Sequence, residues 1–135
     1  EIRACMRHPL AALGSDAILQ NKGGHPRAAG AFPRGIRWLR EDGLSWPQAL
    51  SHATVIPAEN MWLRSGRMAQ GAPADLVVFD PDKFTDMATF KDPLLPPVGI
   101  EWVIVRGQVA VEKGTILEPA GGEFLLRRSI LPKER

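Results

Sequence analysis

Two charged side chains bracket a glycine-rich stretch near the start of the chain. Asp16 follows an apolar run that stops at Gly14, and Arg27 comes eleven residues later, directly after His25-Pro26. A carboxylate at the end of a buried strand can bind a divalent metal or move a proton. An arginine on a loop can bind a carboxylate through two parallel hydrogen bonds. On these residues alone, a turn aspartate and an exposed surface arginine are the commoner explanations.

The histidines offer only weak support for a metal site. His8, His25 and His52 are the only three in the chain. A catalytic zinc usually has three protein ligands, and His8, Asp16 and His25 could supply them, but their spacing matches no compact metal motif. We expect His52 to have a packing or surface role. Cys5 has no neighbouring base that would activate its thiol.

Composition limits the class of protein. The 135 residues are enough for one modest domain, and 44% hydrophobic with 24% charged residues is typical of a soluble globular protein. The net charge of +2 is too balanced to predict a nucleic-acid partner, and no apolar run is long enough to span a membrane. The single cysteine excludes an internal disulfide, which favours a reducing, cytoplasmic location.

The first half of the chain, residues 1–62, reads as a strand followed by helices. The short apolar run 10–13 predicts a strand, and the glycines and prolines of residues 17–34 predict a loop. Helical spacing predicts a helix over 34–42. A second helix should begin at Ser45, where Ser45 and Gln48 form a capping-box pattern. A further helical turn should start at Pro57.

The second half, residues 63–135, changes to short strands, turns and prolines. The β-formers of residues 74–80 predict a strand, and residues 101–114 predict a hairpin around Arg106-Gly107. Four prolines should keep most of 81–100 irregular. So few strands make a poor hydrophobic core on their own. We therefore expect them to need further strands from another part of the protein.

In order, these segments resemble one family. "MRHPLAALGSDA", "HPRAAGAFPR", "LSWPQALSHATVIPAENM", "GRMAQGAPADLVVFDP", "DMATFKDP", "GIEWVIVRGQVAVEKG" and "GGEFLLRR" follow one another along almost the whole chain, about residues 6–128. Their order is similar to the C-terminal part of the D-aminoacylase type of N-acyl-D-amino-acid deacylase, in the amidohydrolase superfamily. Asp16 followed by His25-Pro26-Arg27 is the most specific part of the resemblance.

The resemblance implies an α/β fold and a role in catalysis or substrate binding for each candidate residue. The chain would be the C-terminal fragment of a TIM-like (β/α)₈ barrel, with its last strand and helices, followed by part of a small β-sandwich. Asp16 would be the catalytic residue that handles the proton of a zinc-activated water, and it could contact a second metal. Arg27 would bind the α-carboxylate of an N-acyl amino acid, with His25 as a further substrate-binding candidate. The family usually has Gly after the aspartate, where this chain has Ala17.

The resemblance also implies that the site is incomplete in these residues. The family's His-x-His pair, its ligating Cys or Glu and its two further histidines lie upstream, so one or two Zn²⁺ would be held mainly by residues absent from this chain. We expect the chain alone to be inactive, and its partners to be the missing N-terminal part of the enzyme and a small-molecule substrate, with oligomers possible. The alternatives are a cyclic-amide hydrolase of the dihydroorotase or hydantoinase kind, and a non-catalytic β-sandwich or interaction module.

Overall fold

The computed structural model describes residues 1–20, 23–117 and 121–123. The predicted tail segment 121–128 therefore lies largely outside the described residues. The described residues form four helices, all in the first half of the chain: α1 Ile2–Met6, α2 Arg27–Glu41, α3 Trp46–Ser51 and α4 Val55–Asn60. The same residues form six strands: β1 Leu19–Gln20, β2 Gly23–Gly24, β3 Leu76–Phe79, β4 Ile100–Val105, β5 Gln108–Glu112 and β6 Thr115–Ile116.

The predicted helix at Ser45 is confirmed. The Ser45 side chain accepts a hydrogen bond from the Gln48 amide, while the Gln48 side chain accepts one from the Ser45 amide at 2.8 Å. This reciprocal cap satisfies two amides that the first turn of a helix otherwise leaves unpaired. Helix α3 then packs against α2, where Ile36, Leu39 and Ala49 form the buried core of the helical part.

The prediction of a strand at 10–13 is wrong. These residues form no ladder with another strand, and two of their backbone groups instead bond to the residue that ends α3. The Leu13 amide donates to the His52 carbonyl at 2.8 Å, and His52 Nδ1 lies 2.8 Å from the Ala11 carbonyl oxygen. A run of four apolar residues does not decide between pairing partners, and here the partner is a helix end. His52 has the predicted packing role and is buried.

The prediction of a loop over 17–34 is also wrong. Strands β1 and β2 pair antiparallel within it, and helix α2 begins at Arg27 rather than at residue 34. Gly30 and Pro33 suggested a break in the helix but lie inside it. Tertiary packing overrides their weak propensity, since a β-carbon on Gly30 would lie only 3.4 Å from the β-carbons of Asp86 and Ala88.

The predicted strand 74–80 and the predicted hairpin 101–114 are confirmed as β3, β4 and β5. With β6 they form one antiparallel sheet in the order β3-β4-β5-β6. Arg106 and Gly107 at the hairpin turn have φ of 50° and 81°, the positive angles of the tight turn that matches the twist of paired strands. Residues 81–99 are irregular, as predicted, apart from an isolated bridge between Thr85 and Val98.

An aromatic cluster joins the sheet to the helical part. The ring of Trp46, in α3, lies 5.2 Å from that of Phe79 in β3, and the Phe79 ring lies 4.8 Å from that of Phe84. Tilted contacts at these separations are favourable for aromatic pairs. The cluster therefore fixes the start of the irregular segment against the helices.

Candidate active site

The structure brings Asp16 and Arg27 together. Leu19 pairs with Gly24 in the β1–β2 ladder, so Asp16 and Arg27 each lie three residues outside the same pair. The chain therefore folds back and places the two side chains next to each other. Arg27 Nη2 is 3.3 Å from Asp16 Oδ2, and the Asp16 side chain is 87% exposed. An exposed carboxylate at the end of this pair can be reached by a substrate.

Asp16 is held at the end of an anchored segment. The two hydrogen bonds of residues 11 and 13 to His52 tie the preceding backbone to α3. Leu13 packs against Gly35 of α2, where an added β-carbon would come within 2.9 Å of the leucine methyl groups. Asp16 itself has φ of +46°, in the left-handed region that aspartate tolerates better than most residues. Its side chain consequently projects from a fixed turn rather than from a strand.

Arg27 is the first residue of α2 and has an unused hydrogen-bond donor. Its Nε is buried and has no hydrogen-bond partner among the described residues. Nε and Nη2 form one edge of a guanidinium, and this edge matches the two oxygens of a carboxylate. Asp16 contacts only the Nη2 half of the edge. The Arg27 side chain is 39% exposed, so further N–H groups at the Nη end of the guanidinium can meet a second carboxylate.

His25 stabilises the start of α2, next to Arg27. Its Nδ1 accepts a hydrogen bond from the Arg27 amide at 3.1 Å, which satisfies an amide of the first turn of α2. Its ring meets the Phe90 ring edge-on at 5.0 Å between centroids. With Nδ1 engaged, Nε2 is the nitrogen that His25 can offer to a substrate.

The described residues do not form a metal site. No three histidine, cysteine, aspartate or glutamate side chains among them come close enough to hold one ion. The combination of His8, Asp16 and His25 is therefore wrong as a ligand set within the described chain. His8 Nδ1 instead accepts from the Leu10 amide at 3.2 Å, and Cys5 is an exposed free thiol. Asp16 alone could give one or two oxygens to an ion held mainly by other residues.

A buried carboxylate beside α2 escaped the sequence analysis. The Asp86 side chain is only 3% exposed and pairs with Arg34 and Arg37 of α2. Burial alone would raise the pKa of Asp86, but the hydrogen bonds from Arg34 and Arg37 outweigh it and lower the pKa below its usual range. No local motif links these residues, which are 52 and 49 positions apart. The two ion pairs are seen only in the structure, where residues 84–90 pack on α2.

The fold and the sequence define the class of protein. The model of the amidohydrolase family matches residues 1–111, so the chain belongs to the amidohydrolase family. It is 40% identical over 110 residues to an N-acyl-D-glutamate deacylase of Alcaligenes xylosoxydans xylosoxydans. That match covers 79% of this chain and 22% of the relative. The chain therefore spans about a fifth of the length of this relative.

Solved structures of deacylases have the same fold over this region. A D-aminoacylase studied for its binuclear metal centre matches with a TM-score of 0.83 at 30% identity, over 90% of this chain and 26% of that one. The N-acyl-D-glutamate deacylase of Bordetella bronchiseptica, complexed with zinc and a phosphonate inhibitor, matches with a TM-score of 0.75 at 37% identity. That match covers 81% of this chain and 24% of the other. Two of these three similar proteins are N-acyl-D-glutamate deacylases and the third is a D-aminoacylase, and the one from Bordetella is complexed with zinc.

Proposed function

We propose that this chain is the part of a zinc-dependent N-acyl-D-amino-acid deacylase that supplies a proton-handling carboxylate and a substrate-binding arginine. In the intact protein it would contribute helices of a TIM-like barrel and part of a β-sandwich. The ion pair of Arg27 and Asp16, at 3.3 Å, is the observation that carries the proposal. Two residues with suitable chemistry, eleven positions apart, meet at one accessible place.

Arg27 binds and orients the substrate. Its side chain is 39% exposed, and the Nη end of the guanidinium receives the α-carboxylate of the N-acyl amino acid. The incoming carboxylate competes with Asp16 for Nη2 and so releases Asp16 from the ion pair. Orienting the substrate in this way places its amide carbon at a fixed distance from the attacking water.

Asp16 moves the proton. A water adds its hydroxyl to the acyl carbon while its proton passes to the Asp16 carboxylate. The amide C–N bond then breaks, and the protonated Asp16 returns that proton to the leaving nitrogen. This step gives a carboxylic acid and a free D-amino acid, and Asp16 is regenerated in its ionised form. The acid then loses its proton to the amino group of the product and becomes a carboxylate. General acid–base transfer of this kind needs a carboxyl within hydrogen-bond reach of the reacting groups.

The remainder of the site belongs to other parts of the protein. The described residues form no metal site, so zinc would be held mainly by residues outside them, and the chain alone would be inactive. Large apolar side chains are also exposed here, including Trp62 at 78% and Ile116 at 79%. Exposed apolar surface of this kind is usually covered by a partner, and we propose that the upstream part of the same enzyme covers it. Among the described residues, no helix is long and apolar enough to cross a membrane. The cytoplasm, which the single cysteine favours, is the proposed location.

Replacing Arg27 tests the proposal. In the intact protein, Arg27→Ala should raise KM for an N-acyl-D-amino acid by about 10²-fold, or roughly 3 kcal/mol, because a bidentate charged contact is lost. The kcat should change much less. Arg67→Ala, which removes an arginine paired with the exposed Glu59, is the matched control and should leave KM unchanged. An unchanged KM for Arg27→Ala would remove its assigned role.

A further inference from the structure

Asp86 connects helix α2 to the irregular segment that follows β3. Arg34 Nε donates to Asp86 Oδ2 at 2.7 Å, and Arg37 Nη2 donates to Asp86 Oδ1 at 3.2 Å. Arg34 Nη2 also donates to the carbonyl of Ala88 at 3.1 Å. Each oxygen of this carboxylate therefore has an arginine of α2 as its partner, and the two arginines are only about a third exposed.

The same segment lies along the face of α2 that carries Arg27. Residues 27, 30 and 34 are three and seven positions apart, which places them on one face of a helix. Gly30 allows Asp86 and Ala88 to approach that face, since a β-carbon there would be 3.4 Å from theirs. Two residues after Ala88, the ring of Phe90 packs edge-on against the ring of His25. Residues 86–90 therefore contact α2 at Gly30 and Arg34. They also contact His25, in the loop before the helix.

We propose that Asp86 is a positioning residue for Arg27. By holding Arg34 and Arg37, it fixes α2 against residues 86–90, and this fixes the direction in which the first residue of the helix presents its guanidinium. The inference rests on the proposed function, in which Arg27 binds the substrate carboxylate. Asp86 is buried and has no place among the reacting groups, so it acts only through the helix.

Few hydrogen bonds within α2 hold Arg27, its first residue, in position. The first residue of a helix has few hydrogen bonds within the helix to hold it. Here Pro26 caps α2 without a side-chain hydrogen bond, and the Arg27 amide bonds only to His25. A small displacement of a substrate-binding group is enough to weaken binding considerably. Contacts from outside the helix are therefore needed to keep Arg27 in place.

Kinetics of Asp86→Asn in the intact protein test the inference. This variant keeps the shape of the side chain and removes its charge. We expect KM for an N-acyl-D-amino acid to rise about tenfold, with kcat within about twofold. For the matched substrate with a carboxamide in place of the α-carboxylate, both parameters should stay within about twofold, because Arg27 contributes little to binding it. Arg37→Gln, which removes only one of the two arginines, should give a smaller rise in KM of about threefold.

Glu59→Gln is the matched control, because it neutralises a carboxylate in the exposed ion pair with Arg67 and should leave both parameters unchanged. If Asp86→Asn lowers kcat equally for both substrates and leaves KM unchanged, Asp86 only stabilises the fold and the inference is overturned. The same holds if none of the parameters changes.

A second readout separates this inference from the proposed function. If the wild-type protein hydrolyses no N-acyl-D-amino acid, the proposed function fails, but hydrogen exchange still reports on the helix. The amides of Ala28 and Gly30 bond to His25 and Pro26, and they should exchange about tenfold faster in Asp86→Asn than in Glu59→Gln. Equal exchange rates in the two variants would overturn the positioning role of Asp86.

Discussion

At the scale of single residues, the site depends on two side chains whose contact only the fold reveals. The sequence shows that Asp16 and Arg27 have suitable chemistry, and the resemblance to deacylases gives each a role. It does not show that they meet, because their meeting depends on the register of a ladder in which Leu19 pairs with Gly24. Nor does it show the left-handed backbone of Asp16, with φ of +46°, since aspartate adopts many conformations in a turn.

Asp16→Asn should separate catalysis from folding. We expect the kcat of the intact protein for an N-acyl-D-amino acid to fall by about 10²–10⁴-fold, because an amide cannot take up the proton of the attacking water. The free energy of unfolding should change by less than about 0.5 kcal/mol, because the side chain is 87% exposed.

Asp82→Asn provides the control for that measurement. Asp82 is also an exposed aspartate, and we expect its replacement to alter neither kcat nor the unfolding free energy. Retention of more than about a tenth of the wild-type kcat in Asp16→Asn would show that another group moves the proton.

At the scale of elements, local signals succeed where they are strong and fail where packing decides. The capping box at Ser45, the β-branched run before Pro81 and the Arg106-Gly107 turn each specify one local structure, and all three elements are confirmed. Helix α2 begins seven residues before its predicted start because its contacts with residues 86–88 outweigh the propensities of Gly30 and Pro33. Those contacts come from more than 50 positions away, and no local pattern contains them.

The capping box offers a test of the local argument. In the intact protein, Ser45→Ala should lower the free energy of unfolding by about 1 kcal/mol, because the Gln48 amide loses its partner. Ser51→Ala, in the last turn of the same helix, removes only a hydroxyl that donates to the Gln48 carbonyl and should cost less than about 0.5 kcal/mol. Equal losses in urea titrations of the two variants would contradict the capping role.

At the scale of the whole molecule, the described residues have the fold of an amidohydrolase and hold part of the proposed site. The chain covers 22% of the length of the N-acyl-D-glutamate deacylase that it resembles, and its described residues form no metal site. His52, one of the three histidines, is used in packing. That most metal ligands lie outside this chain stays a prediction from the family resemblance. The sequence could not predict which apolar side chains stay exposed, such as Trp62, since burial depends on the complete assembly.

A substrate panel with the zinc-loaded intact protein tests whether it deacylates N-acyl-D-amino acids. We expect hydrolysis of N-acyl-D-amino acids, with kcat/KM at least about 10²-fold higher than for hydantoin and dihydroorotate. The 135-residue chain on its own, given the same zinc, should show no turnover. Preferential opening of the cyclic amides would assign the protein to another branch of the family. Absence of turnover on the whole panel would favour a non-catalytic module, and turnover by the chain alone would contradict a site completed by other residues.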